Sequence, residues 1–100
     1  MSLYFEDHAE DEYEKILNEY LAVGVELARD FQAEFEHATS QVTAFPKLGS
    51  PLRIRRFRFV RLRRFPYLII YQIVAGDIWI MAVAHYRRRH GYWNKRRINP

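Results

Sequence analysis

Three consecutive side chains, His85-Tyr86-Arg87, bring an imidazole, a phenol and a fixed cation together late in the chain. An imidazole titrates near neutrality, so His85 could move a proton. Arg87 could hold a phosphate through paired N–H groups, and Tyr86 could stack on a base. RNA cleavage requires such parts: a base for the 2′-hydroxyl, an acid for the leaving oxygen and cations for the phosphorane charge. If the chain is a nuclease, His85, Tyr86 and Arg87 are its catalytic set. The plainer alternative is a histidine hydrogen-bonded at a strand end, where it anchors the tail. The sheet-forming half has no carboxylate except Asp77, so a glutamate general base is missing from it.

A second kind of chemistry lies upstream. Seven arginines fall between Arg53 and Arg64, interleaved with Ile54, Phe57, Phe59, Val60 and Leu62. A strand sends alternate side chains to opposite faces, so this pattern predicts one core face and one face of guanidinium groups. Such a face attracts nucleic-acid phosphates or an acidic protein segment. The contact set expected from it is Arg56, Arg58, Arg61 and Arg63, joined from the tail by Arg87, Arg88, Arg89, Tyr92 and Trp93. Tyr92 and Trp93 also suit a second role, as packing anchors for the tail. A solvated edge that resists aggregation would need fewer arginines. The rest of the chain is polarised in the opposite sense. Met1 to Ser50 holds eleven acids and three basic residues, whereas Pro51 to Pro100 holds thirteen basic residues and one acid. His8, His37, His85 and His90 lack metal-ligand spacing and there is no cysteine, so neither a metal site nor another cofactor is expected.

The elements that must position these groups can be read from periodicity. Ser2 to Phe5 could form a short edge strand. Asp7 and Glu10 have the form of a capping box. Ala9, Tyr13, Ile16, Leu17, Tyr20 and Leu21 then draw an apolar stripe of helical period, and the acids Glu10, Asp11, Glu12, Glu14 and Glu19 read as its solvated face. Ala22 to Gly24 interrupts, and a second helix carries Ala28, Phe31, Phe35, Ala38, Val42 and Phe45 until Pro46 stops it. From Leu52 the period becomes two, with slips at Arg55-Arg56, Phe59-Val60 and Arg63-Arg64 that predict a bulge or tight turn within the arginine run. Tyr67 to Val74 reads as a central strand, Ala75-Gly76-Asp77 as a hairpin turn and Ile78 to His85 as the returning strand. The result is one α+β domain over residues 1–100, a helical hairpin packed on one face of a small antiparallel sheet with the arginines on the other. The apolar runs are too short to span a bilayer and the acidic N-terminus is no signal peptide, so a cytoplasmic protein without a membrane partner is expected.

Several ordered features also carry a resemblance: Ala9 in the acidic first helix, Phe45-Pro46-x-x-Gly49, Arg63-Arg64-Phe65-Pro66-Tyr67-Leu68-Ile69-Ile70-Tyr71, and Ala82 to Trp93 with its His-x-Arg-Arg-x-x-Gly-Tyr-Trp pattern. Together they resemble the RelE/ParE superfamily, the toxin halves of bacterial type II toxin–antitoxin pairs, also known as plasmid stabilisation proteins. The resemblance implies a cytoplasmic toxin held inactive by a cognate antitoxin whose segment wraps the basic sheet, as a homodimer or a heterotetramer with that antitoxin. It also implies one of two targets: DNA gyrase, poisoned without nuclease chemistry, or ribosome-bound mRNA, cleaved in the A site. The Phe65-Pro66-Tyr67 strand start and the Arg-x-x-Gly-Tyr-Trp tail are more similar to the ParE branch. A non-toxic nucleic-acid-binding module is the reading from a different class.

Overall fold

A computed structural model describes residues 2–53, 55–88 and 91–98. Strand β1 (Leu3–Phe5) leads into helix α1 (Asp7–Val23) and helix α2 (Val25–Ala44). Strands β2 (Ser50–Pro51), β3 (Arg58–Arg61), β4 (Tyr67–Val74) and β5 (Asp77–His85) follow. They form one five-stranded sheet in the order β1-β5-β4-β3-β2, antiparallel throughout except for β1, which runs parallel to β5.

The start of α1 corrects the expected capping box. Glu6, not Asp7, is the N-cap: it keeps an extended backbone and its carboxylate accepts the Ala9 N–H at 3.0 Å. The reason lies in the sheet, because the Glu6 N–H donates to the Ile80 carbonyl and so continues β1 by one residue. The other oxygen of Glu6 meets His8 Nδ1 at 2.7 Å.

Both helices lie on one face of the sheet, as the two apolar stripes require. Ala9, Ile16, Phe31 and Phe35 pack there with Ile69, Ile80 and Val83, and Tyr13 lies partly buried against them. Val42 joins Tyr71 and Ile78 in a smaller cluster at the end of α2. Phe45, the last member of the expected seam, is instead 69% exposed. It follows the last helical residue, and its backbone leaves the helical region (φ −133°, ψ 81°).

Phe45-Pro46-x-x-Gly49 forms a lock. The buried Tyr71 hydroxyl donates to the Pro46 carbonyl at 2.7 Å and accepts the Gly49 N–H at 2.9 Å. A Cβ on Gly49 would stand 2.6 Å from that hydroxyl and 2.8 Å from the Phe59 carbonyl, so only glycine fits. At the β4–β5 hairpin, Ala75 and Gly76 both take positive φ, as a two-residue turn with right-twisting strands demands.

The second sheet face departs most from expectation. It is not a bare arginine surface but a second apolar layer. Phe57, Ile70, Met81, Ala82, Ala84 and Trp93 are buried together there, flanked by Leu52, Phe59, Tyr92 and Ile98. The C-terminal tail and the loop before β3 fold back to cover it. Strand β3 is only four residues long, so just two of the seven arginines lie in it. Arg53, Arg55 and Arg56 belong to the preceding loop, where Arg55 and Arg56 both adopt positive φ, and Arg63 and Arg64 belong to the following turn. The expected irregularity in the arginine run is therefore a turn. A register shift occurs elsewhere, in β5: Ile70 pairs with Ala82 and Tyr71 with Ile80, which leaves Met81 as the extra residue.

Candidate functional site

Strand β5 needs help along its outer edge. Beyond Ile80 it has lost β1 as a neighbour, and the bulge leaves Met81 without a partner in β4. One carboxylate fills the gap. Glu12 of α1 accepts the Val83 N–H at 3.0 Å through Oε1. The same oxygen accepts from Arg96 Nη1 at 2.8 Å, while Oε2 accepts from the Tyr92 hydroxyl at 2.6 Å and Arg96 Nη2 at 3.1 Å. Arg96 Nη1 also donates to the Met81 carbonyl at 3.0 Å, so the ion pair stands in for the missing strand. Burial and the hydrogen bond to Glu12 push the Tyr92 phenol well above its ordinary pKa. Burial opposes the charge on Arg96, but the hydrogen bond to Glu12 and the charges of Glu12, Tyr92 and Glu6 together outweigh it and raise the guanidinium pKa.

This anchor holds the tail beside the expected catalytic set. His85 pairs across the sheet with Tyr67, their rings edge-to-face at 5.5 Å, and stacks on Tyr86 at 5.1 Å. Two guanidinium groups approach the Tyr86 ring, Arg61 at 4.8 Å and Arg87 at 5.5 Å. His85 Nδ1 accepts the Arg87 N–H at 3.1 Å, so the neutral ring carries its proton on Nε2. Burial first, then Tyr20 and Glu19, push the Tyr67 phenol up to about 12. A cavity of about 180 Å³ adjoins these rings, lined by Glu12, Lys15, Glu19, Tyr67, His85 and Arg88 among others.

Only part of the expected contact set converges. Arg61, His85, Tyr86 and Arg87 meet at one end of the sheet. Arg56 and Arg58 border a groove of about 510 Å³ at the opposite end of β3, where Arg58 donates to the carbonyls of Lys47 and Gly49. The backbone N–H groups of Arg63 and Arg64 bind the carboxylate of Glu34 on α2, which ties the turn before β4 to that helix. Arg88 lies over Tyr92 at 4.0 Å, and Trp93 is buried in the second layer as a packing anchor. Arg89 lies outside the described residues. Among those that are described, no cluster of three or more histidine and carboxylate side chains could hold a metal, and no helix is long and apolar enough to cross a membrane.

Glu12, Arg96 and Arg55 were missed by the reading of the chain. Arg55 Nη1 donates to the carbonyls of Asn94 and Arg96 at 2.7 and 2.8 Å and so fixes the tail from the other side. Glu12 did leave a signal. It stands three residues after Ala9 and four before Ile16, which places an acid on the flank of the apolar stripe rather than opposite it.

Two helices on one face of a mostly antiparallel sheet define an α+β architecture that solved structures share. A chain of the "Chromosomal ParDE TA system from P. aeruginosa" superposes with a TM-score of 0.67 at 21% identity, covering 85% of this chain and 95% of the other. The isolated E. coli RelE toxin superposes with a TM-score of 0.59 at 19% identity, covering 91% and 89%. No curated protein matches the sequence. The family described as "ParE toxin of type II toxin-antitoxin system, parDE" matches residues 3–90. The chain belongs to that family of toxins.

Proposed function

We propose that this toxin inhibits growth by poisoning DNA gyrase and is neutralised by a cognate antitoxin in the same cell. The supporting observation is the state of the carboxylates around His85. Glu12 is fully engaged by Arg96, Tyr92 and Val83, and Glu19 is an exposed side chain with no hydrogen bond holding it towards the imidazole among the described residues. Tyr67, at about 12, is a poor proton donor or acceptor at neutral pH. The lack of a carboxylate held towards His85 among the described residues supports a target bound through the basic end rather than RNA cleavage by an acid–base pair. The match to the ParE family favours the same branch.

The ribosome-dependent nuclease remains the second reading, because Arg61, Arg87 and His85 converge on Tyr86 as phosphate-binding groups would. Purified toxin decides between them. We expect inhibited supercoiling by gyrase and intact A-site mRNA, with toxicity nearly unchanged in His85→Ala and lowered by changes at Arg87, Arg88 or Trp93. Ribosome-dependent cleavage that disappears with His85→Ala, where loss of an acid–base group costs about 10²–10⁴ in rate, would reverse the choice of target.

A further inference from the structure

Where α2 ends, large apolar side chains are left uncovered. Phe45 is 69% exposed, Leu48 53%, and Ile73 and Val74 each 38%. With Ala44 and Pro46, the first three line a shallow depression of about 480 Å³. Single exposed apolar residues are ordinary, but a contiguous set marks a surface that something covers. The depression continues into the 510 Å³ groove on β3, since Lys47 and Ile73 line both. Arg53 and Arg56 rim that groove and, among the described residues, have no ion-pair partner. Arg56 is also held at φ 60°, a conformation that costs a non-glycine residue energy and that persists where the surroundings impose it. Arg55, its neighbour, also has positive φ and binds the tail carbonyls.

We propose that this joined surface docks an acidic protein segment carrying large apolar side chains, the apolar groups resting on Phe45, Leu48 and Ile73 and the acids on Lys47, Arg53 and Arg56. The proposal rests on the reading of the chain as a toxin with a neutralising partner, and it supplies the surface and the chemistry of that contact. Charge selects this occupant. A second copy docked about a two-fold axis would set Lys47, Arg53 and Arg56 against themselves. A nucleic-acid backbone would satisfy the arginines and leave Leu48 and Ile73 wet. Apolar anchors would supply most of the affinity, and the arginines most of the association rate.

The probe is a synthetic helix-forming peptide with glutamates surrounding two leucines one turn apart, compared with a control that has serines in their place. Added to the isotope-labelled full chain, the leucine peptide should shift amide resonances of Phe45, Lys47, Leu48, Arg53, Arg56 and Ile73. It should bind about tenfold or more tightly than the control, a difference of about 1.4 kcal/mol. The double substitution Phe45→Ser with Leu48→Ser, both at exposed positions, should erase that difference. Arg53→Glu with Arg56→Glu should slow association of both peptides. Several results would overturn the proposal: no binding, equal binding of the two peptides, shifts centred on Arg61, Tyr86 and Arg87, or a peptide-free dimer that disappears with the Phe45 and Leu48 substitutions. Gyrase supercoiling measured on the same samples without peptide keeps the two readings separate. Inhibition without docking removes this surface alone, and docking without inhibition removes the target alone.

Discussion

Glu12→Ala is the most informative single change in this chain. The substitution removes the acceptor for four hydrogen bonds, from the Val83 N–H, the Tyr92 hydroxyl and two nitrogens of Arg96. Breaking a fully buried ion pair by deleting one partner costs about 3–5 kcal/mol, because the remaining charge is left without compensation. Here the Glu12 and Arg96 side chains are 16% and 14% exposed, so water can partly rehydrate the guanidinium. Arg96 also keeps its bond to the Met81 carbonyl. The expected loss is therefore about 2–4 kcal/mol, near the lower bound for a buried pair and near the sum of one charged and one neutral bond. In a domain of this size each kcal/mol lowers the melting temperature by about 4–8 °C, so the shift should be readily measured. Urea unfolding provides the free energy, and acrylamide quenching of tryptophan reports whether Trp93 has left its layer. Together with Arg96→Ala, the change forms a double-mutant cycle whose coupling should exceed about 1 kcal/mol. Additive effects in that cycle, or a Glu12→Ala protein within about 0.5 kcal/mol of wild type, would refute the claim that this pair holds the tail on the sheet.

Three further outcomes follow from the same geometry. Phe35, 3% exposed and in contact with the rings of Phe5, Tyr13 and Phe31, should cost about 3–5 kcal/mol when changed to alanine, as read by denaturant unfolding. Gly49→Ala forces a methyl group against the Tyr71 hydroxyl and the Phe59 carbonyl and should destabilise by about 1–3 kcal/mol, with Tyr71→Phe in the same background recovering part of the loss. Tyr67 is an acid whose folded pKa, about 12, lies above its unfolded value of 10.0, so its contribution is complete below pH 10 and is lost as pH rises towards 12. Unfolding curves should show stability falling across that window, and Tyr67→Phe should flatten the fall; an unchanged slope would remove Tyr67 as its source.

The parts of this protein that depend on local order were legible in its sequence. Helical stripes from Ala9 to Tyr20 and from Ala28 to Val42 were legible because burial on one side of a helix repeats every three or four residues whatever it packs against. Tyr67–Val74, the Ala75-Gly76 turn and the returning strand were legible because alternation and positive φ are properties of a few adjacent residues. The phase slip at Arg55-Arg56 located a real turn for the same reason. Tertiary structure alone decided what each face meets. Alternation in the arginine run predicted an open basic face, but Trp93 of the tail packs with Phe57 to cover that side with apolar groups, and the run itself does not record where the tail will lie. Glu12 read as one more solvated acid because its partners lie 71, 80 and 84 residues further along the chain. Phe45 kept the spacing of a core residue, yet Pro46 ends the helix and leaves it outside. Spacing fixes the direction of a side chain relative to its own backbone. What occupies that direction is set by segments that arrive from elsewhere in the chain.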